Sequence, residues 1–303
     1  MNGSDHSDDP RELDPSPSPD GPAPGAPADP LVRRSRAGRD LPAAILVGVG
    51  LGASIIASLV VARGAFVVVV LLIGLIGVRE LTSALGTNGT RVLAWPVSIG
   101  GSAMLLGAWF GGAEWLVVAL GMTMLAVLVW RLPGGAEHFV RDVTASVFVL
   151  VWVPLLGAFV VLMRIPDDGA MRVVAFVVTT VASDTGGYAV GVLAGRHAMA
   201  PSISPKKSWE GMGGSVIASA VAGWLTVSLG LGGPAWVGVL LGVVTAVAAT
   251  IGDLSESLVK RDLSIKDMGS LLPGHGGMMD RLDSLLFVAP LAWLVLQLVP
   301  VAA

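Results

Sequence analysis

From residue 42 onward the chain is a succession of apolar runs, separated by short links that carry most of its charges. Each run is near the ~20 residues a helix needs to cross the hydrocarbon core of a bilayer. The runs predict nine membrane-spanning helices, over roughly 42–62, 64–82, 92–111, 114–131, 143–163, 170–194, 213–231, 235–253 and 284–301. Only Arg63 and Gly64 separate the first two, so a tight helical hairpin is expected there. Two polar stretches, 183–212 and 252–283, interrupt the rhythm; both are long and Gly-rich, and the remaining links are short connectors.

Composition agrees with this reading. Of 303 residues, 53% are hydrophobic and 14% charged, against about 25% charged in a soluble domain, and the mean hydropathy is +0.77. A soluble enzyme, a disulfide scaffold and a largely disordered chain are excluded. The net charge of −3 argues against a nucleic-acid partner. The absence of cysteine removes thiolate metal sites and cysteine catalysis.

Residues 1–40 form a separate region, rich in Pro, Asp, Ser and Gly and too polar to order itself. This acidic tail has no apolar signal-peptide core. It ends in Arg33, Arg34, Arg36 and Arg39, a basic cluster directly before the first apolar run, which reads as a cytoplasmic topology determinant. With the N-terminus inside and nine crossings, only Arg63, Arg164 and Arg172 of the 19 basic residues fall outside. The C-terminus is then external, and both long polar stretches face the cytoplasm. The expected architecture is an all-α polytopic membrane protein, with a cytoplasmic tail over 1–40 and a transmembrane catalytic domain over 41–303.

The stretch 252–283 holds the densest chemistry. Asp280 and Asp283 are three apart, which on a helix places both carboxylates on one face at the start of the last span. Like charges near lipid repel and are costly to desolvate; a divalent cation between them removes both problems. Asp253 ends the preceding span at a similar depth, and three such oxygen ligands suit Mg²⁺. Just before the pair, Pro273-Gly274-His275-Gly276-Gly277 can bring backbone N–H groups close to an anion, a phosphate cradle in which His275 donates to phosphate or holds the loop. Lys260, Arg261 and Lys266 add positive charge for phosphate or carboxylate partners. In 183–212, Asp184 falls in an otherwise apolar span and is expected to face a polar cavity or a helix contact. Ser204-Pro205-Lys206-Lys207-Ser208-Trp209-Glu210-Gly211 offers two lysines flanked by hydroxyls, suited to a polyphosphate or to lipid contact, with Glu210 placed to start the next helix. Arg79, Glu80, Asp167 and Asp168 read as structural, the first two pairing with each other or with a neighbour and the last two as solvated loop residues. There is no complete Walker A loop and no nucleophilic triad.

Together the two stretches resemble the phosphatidate cytidylyltransferase family, the CDP-diacylglycerol synthases. The likeness rests on Ser257-Leu258-Val259-Lys260-Arg261, Lys266-Asp267 and His275-Gly276-Gly277-Met278-Met279-Asp280-Arg281-Leu282-Asp283, on the Ser204–Gly211 element, and on Asp184-Thr185-Gly186-Gly187-Tyr188, where Gly187 stands for the usual Ala. It covers about residues 42–301. The resemblance implies transfer of CMP from CTP to phosphatidic acid in phospholipid biosynthesis at the inner face of the cell membrane, releasing pyrophosphate. It implies Mg²⁺ held by Asp253, Asp280 and Asp283, with a monovalent cation such as K⁺ beside it. Lys260, Asp280 and Asp283 are then catalytic, while Asp184, Ser204, Lys206, Lys207, Ser208, Glu210, Arg261, Lys266, Asp267, His275, Gly276 and Gly277 bind substrate. The partners implied are CTP, phosphatidic acid and membrane lipid, and a second copy in a homodimer. Two other readings of the same features are a CTP-dependent polyprenol kinase, which releases CDP, and an ion-coupled transporter with Asp184 and Asp253 as ion ligands.

Overall fold

The computed structural model describes residues 41–269 and 276–300, the side chains of 41–49 and 51 excepted. The acidic tail with its arginine cluster, and His275, lie outside the described residues. The elements in chain order are α1 Leu41–Val61, α2 Arg63–Gly86, α3 Ala94–Arg131, α4 Phe139–Leu150, α5 Leu156–Arg164, α6 Gly169–Ala194, β1 Ala198–Ala200, β2 Ser204–Ser208, α7 Trp209–Leu225, α8 Ala235–Asp262 and α9 Met279–Leu296. Among the described residues, six helical stretches are long and apolar enough to cross a membrane: Arg63–Gly86, Ala94–Gly134, Phe139–Arg164, Gly169–Ala194, Trp209–Gly230 and Ala235–Asp262. The chain is an all-α polytopic membrane protein in bulk. The departure is a small antiparallel hairpin, β1 against β2, inside the stretch 183–212.

Local sequence explains the irregular helices. At 38 residues, α3 would run about 57 Å if straight, far more than a bilayer needs. Gly112, at φ 67°, breaks it in a backbone region that favours glycine. Beyond the break the chain folds back: Trp115 packs over Gly107 and Gly111, and Thr123 over Gly100. The two apolar runs 92–111 and 114–131 are thus antiparallel limbs of one kinked element. Between α4 and α5, Pro154 cannot donate a helical hydrogen bond, and a π-helical turn at Val151–Leu155 absorbs the missing bond.

Small residues set the closest helix contacts, as lipid-embedded packing favours. A Cβ on Gly214 of α7 would lie 2.6 Å from the Gly186 carbonyl of α6, and one on Gly252 of α8 would lie 2.5 Å from the Asp283 carbonyl of α9. Two apolar cores result. One joins α2 to α5 with α9 around Leu81, Met104, Val127, Leu150 and Met279; the other joins α6, α8 and α9 around Phe176, Leu241, Val288 and Leu296. Trp95, Phe110, Val129 and Leu193 point outward, as side chains in contact with lipid do.

Charges pin the helix ends. Arg131 Nε donates to Asp142 Oδ2 at 3.1 Å, both side chains buried, where α3 ends and α4 begins. Asp167 is solvated as expected, its side chain 90% exposed while it accepts from Arg63 at 2.7 Å; Asp168, expected to be solvated too, is instead largely covered and accepts from Arg172 at 2.7 Å. Arg172 also donates to the Leu296 carbonyl at 2.5 Å, holding the end of α9.

Candidate active site

The charged centre is built on α8 and α9. The apolar run that ends near Asp253 is shorter than the helix, which continues to Asp262. That extension puts Asp253, Glu256 and Lys260 on one helical face, three and four residues apart. Asp280 and Asp283 occupy the first turns of α9. With no side chain at Gly252, the α9 backbone approaches there, so the two charged faces meet.

Lys260 is the clamp of this meeting. Its Nζ donates to Glu256 Oε2 at 2.7 Å and pairs with Asp280 Oδ1 at 2.5 Å. Asp280 also accepts from the backbone N–H of Gly277 at 2.7 Å and of Met268 at 3.1 Å. The carboxylate expected as a metal ligand is therefore the tie between α8, the segment before α9 and α9 itself. The Gly276-Gly277 turn, expected as a phosphate cradle, is shaped around carboxylates. Gly276 sits at φ 81°, where a Cβ would lie 2.9 Å from Asp280 Oδ2, and the Gly277 N–H is spent on Asp280.

Glu80, expected to pair with Arg79 or with a neighbour, is bonded to a backbone donor. It is buried near the C-terminal end of α2, and its Oε2 accepts the Met279 N–H at 2.8 Å, satisfying one of the free donors at the start of α9. Gly269 and Gly277 close over it, each within 2.6 Å of its carboxylate oxygens if they carried a Cβ. The signal in the sequence was a lone Glu at the end of an apolar run; its partner, 199 residues away, had none.

Beside this clamp opens a cavity of about 350 Å³ between α6, the β-hairpin, α7 and α8, within the ~300–1,000 Å³ usual for ligand sites. Asp184, Ser204, Lys206, Lys207, Ser208 and Asp253, all singled out by sequence, line it. Lys207 Nζ donates to Asp253 Oδ2 at 2.5 Å, joining the two polar stretches. Ser208 also caps α7, its Oγ accepting from Gly211 N–H at 3.1 Å. Lys206 is exposed at the cavity and makes no ion pair among the described residues. Asp184, Asp253 and Asp283 lie in one another's electrostatic field, and Glu256 is next to Asp283.

Four candidates stand apart. Glu210 is a strut: its carboxylate accepts the N–H groups of Arg196 and His197 and pairs with His197 Nδ1 at 2.6 Å, tying the start of α7 to the chain entering the hairpin. Arg261, Lys266 and Asp267 are exposed at the end of α8 and beyond it, with Asp267 close to Gly276.

Carboxylates outnumber cations here. Asp184, Asp253, Asp283, Glu256 and Asp280 face Lys206, Lys207 and Lys260. Two buried carboxylate oxygens, Glu256 Oε1 and Glu80 Oε1, have no hydrogen-bond partner. Such hard oxygen donors fit a divalent cation. They are not preassembled: among the described residues no three carboxylates or imidazoles converge on one point, because Asp253 leans to Lys207 and Asp280 to Lys260.

A sequence profile of the cytidylyltransferase family matches residues 42–299. The chain belongs to the cytidylyltransferase family. It is similar to phosphatidate cytidylyltransferase of Mycobacterium bovis, 44% identical over 92% of this chain and 95% of that protein. It is similar also to phosphatidate cytidylyltransferase of Mycobacterium leprae, 42% identical over 88% of this chain and 90% of that one. The match to the cytidylyltransferase family takes in every element that lines the cavity and the clamp, from α6 to α9.

Proposed function

We propose that the chain transfers CMP from CTP to phosphatidic acid, giving CDP-diacylglycerol and pyrophosphate. The observation that carries this is the cavity at the ends of apolar helices, where Lys206 and Lys207 meet Asp184 and Asp253; family membership supplies the reaction class. A phosphate oxygen of phosphatidic acid attacks the α-phosphorus of CTP, the P–O bond to the departing pyrophosphate breaks, and no base is needed because the acceptor is already an anion. The hard part is bringing two anions together, and catalysis is positioning plus charge stabilisation. Lys206 and Lys207, with the hydroxyls of Ser204 and Ser208, bind the CTP phosphates. In this role Lys207 exchanges Asp253 for phosphate, which frees that carboxylate. Asp253 and Asp283, with Asp280 behind them, hold Mg²⁺, with K⁺ as a second cation. When bound, the divalent ion neutralises charge on the phosphates. Lys260 keeps Asp280 and Glu256 in place and lies one step from the reacting phosphates.

The topology belongs to the same proposal: nine crossings with α3 counted as two, the N-terminus cytoplasmic, the C-terminus outside, and the cavity facing the cytoplasm of the cell membrane. CTP enters from water while the lipid stays in the bilayer. Purified protein with phosphatidic acid, Mg²⁺ and CTP labelled on the α-phosphate tests the reaction. Label is expected in lipid with pyrophosphate released, and Asp280→Asn is expected to be inactive. Release of CDP without lipid label would overturn the reading in favour of a kinase.

A further inference from the structure

Tyr188 lines the cavity between α6, the β-hairpin, α7 and α8, together with Asp184. The two are four residues apart on α6, so both rise from one face of that helix. The tyrosine stands about 6 Å further along the helix axis than the carboxylate, toward the hairpin that follows α6. It is the one tyrosine of the chain and, among the described residues, the one aromatic side chain in the lining. It is 75% exposed. Its hydroxyl makes no hydrogen bond, and its ring packs on no other ring, among the described residues. Leaving so much apolar area uncovered has a cost, and a ligand that brings its own flat face removes it.

The wall beside the ring is kept bare. Gly191, three residues on and on the same face of α6, also lines the cavity. Packing does not demand a glycine there: a Cβ would stop 3.7 Å from Ser208 Oγ and 3.8 Å from Gly211 Cα, both ordinary contacts. Gly187 is different, since its Cβ would meet Ser215 Oγ at 2.3 Å. Glycine is a poorer helix residue than alanine, so Gly191 leaves room next to the ring at a cost to α6. From the hairpin side, half-buried Met199 of β1 lines the same cavity, and a thioether packs well on an aromatic face. We propose that Tyr188 stacks on the base of the bound nucleotide, with Met199 bordering the same slot, and so sets affinity for the nucleoside rather than for the phosphates. The inference rests on CTP being the donor, as proposed above. With the phosphates at Lys206 and Lys207 and the α-phosphorus near the carboxylates, the ribose crosses about one helical turn, and the base arrives at the ring. Every base has a π-face, so the ring supplies affinity and leaves the choice of cytosine to groups that meet the base edge.

Because the chain has one tyrosine, full-length protein grown with meta-fluorotyrosine gives a single fluorine resonance that reports on this ring alone. With Mg²⁺ and no lipid acceptor, CTP is expected to shift that resonance. Inorganic tripolyphosphate, which has the phosphates without the base, is expected to leave it in place. A resonance that saturating CTP does not move, or that both ligands move alike, overturns the assignment. In turnover assays Tyr188→Leu is expected to raise KM for CTP about tenfold, within the range seen for loss of one stacked base. The inhibition constant of tripolyphosphate and kcat at saturating CTP are expected to stay near wild type, the pattern of lost uniform binding. Tyr188→Phe keeps the ring and is expected to keep KM. Equal weakening of CTP and tripolyphosphate would mean that the residue only shapes the cavity, and an unchanged KM in Tyr188→Leu would make it an interfacial anchor; either result overturns the inference. If the leucine variant does not fold, the fluorine measurement on the unsubstituted chain decides. Wild type that neither binds CTP nor labels lipid overturns the cytidylyl-transfer reading and this inference with it; active wild type with an unmoved resonance overturns this inference alone.

Discussion

Replacing Lys260 by Met isolates the clamp between α8 and α9. Methionine keeps the length and apolar stem of lysine but removes the charge that binds Glu256 Oε2 at 2.7 Å and Asp280 Oδ1 at 2.5 Å. The two carboxylates are unequal afterwards. Asp280 retains the amides of Gly277 and Met268, whereas Glu256 is 2% exposed, its Oε1 already lacks a partner, and Oε2 loses the lysine. Removing one partner of a buried ion pair costs about 3–5 kcal/mol, and most of that loss falls on Glu256. In a domain of this size the loss lowers the melting temperature by roughly 6–20 °C. Thermal unfolding in detergent micelles, monitored by tryptophan fluorescence, measures it. The double variant Lys260→Met/Glu256→Gln is expected to recover a larger share than Lys260→Met/Asp280→Asn, because it neutralises the carboxylate left without any donor; couplings of about 0.5–3 kcal/mol are in range. Lys260→Met within about 0.5 kcal/mol of wild type, the size of an ordinary surface substitution, would refute the clamp. A weakened CTP affinity in that same stable protein would show that Lys260 acts on phosphate alone.

Glu80→Ala leaves the Met279 N–H without its acceptor and is expected to cost about 1–3 kcal/mol and to lower turnover. Glu80→Gln keeps an acceptor oxygen and is expected to restore most of both, read from melting temperature and initial rate; equal losses in the two variants would refute the capping role. Gly252→Val places a side chain where the Asp283 carbonyl approaches. It is expected to part α8 from α9 and abolish turnover without altering any charged residue, and a fully active variant would show that this contact does not assemble the site.

The six helical stretches long and apolar enough to cross a membrane were legible because a bilayer imposes a local rule. Each segment in lipid has to satisfy its own backbone and present about 20 apolar residues, so the rule is visible in any one run. Irregularities were not anticipated: the run 143–163 contains Pro154 and was expected as one helix, and nothing local announced that Gly112 would reverse α3, because glycine permits a positive φ without requiring it. The small hairpin Ala198–Ser208 was missed, since Ser-Pro-Lys-Lys-Ser has neither alternation nor strand propensity and takes its extended form from its partner strand.

At the site, sequence alone determined the cast: Asp184, Lys206, Lys207, Asp253, Lys260, Asp280 and Asp283, ionisable residues at helix ends where burial is costly and bare charge does not persist. Only the tertiary structure decided who holds whom. Lys207 pairs with Asp253, 46 residues on; Lys260 pairs with Glu256 and Asp280; Glu80 caps a helix at the far end of the chain. The physical reason is that a charge states its need for a partner in its own chemistry. The identity of that partner depends on which backbones come close, and here that is decided by glycines such as Gly252 and Gly186, whose role is the side chain they lack.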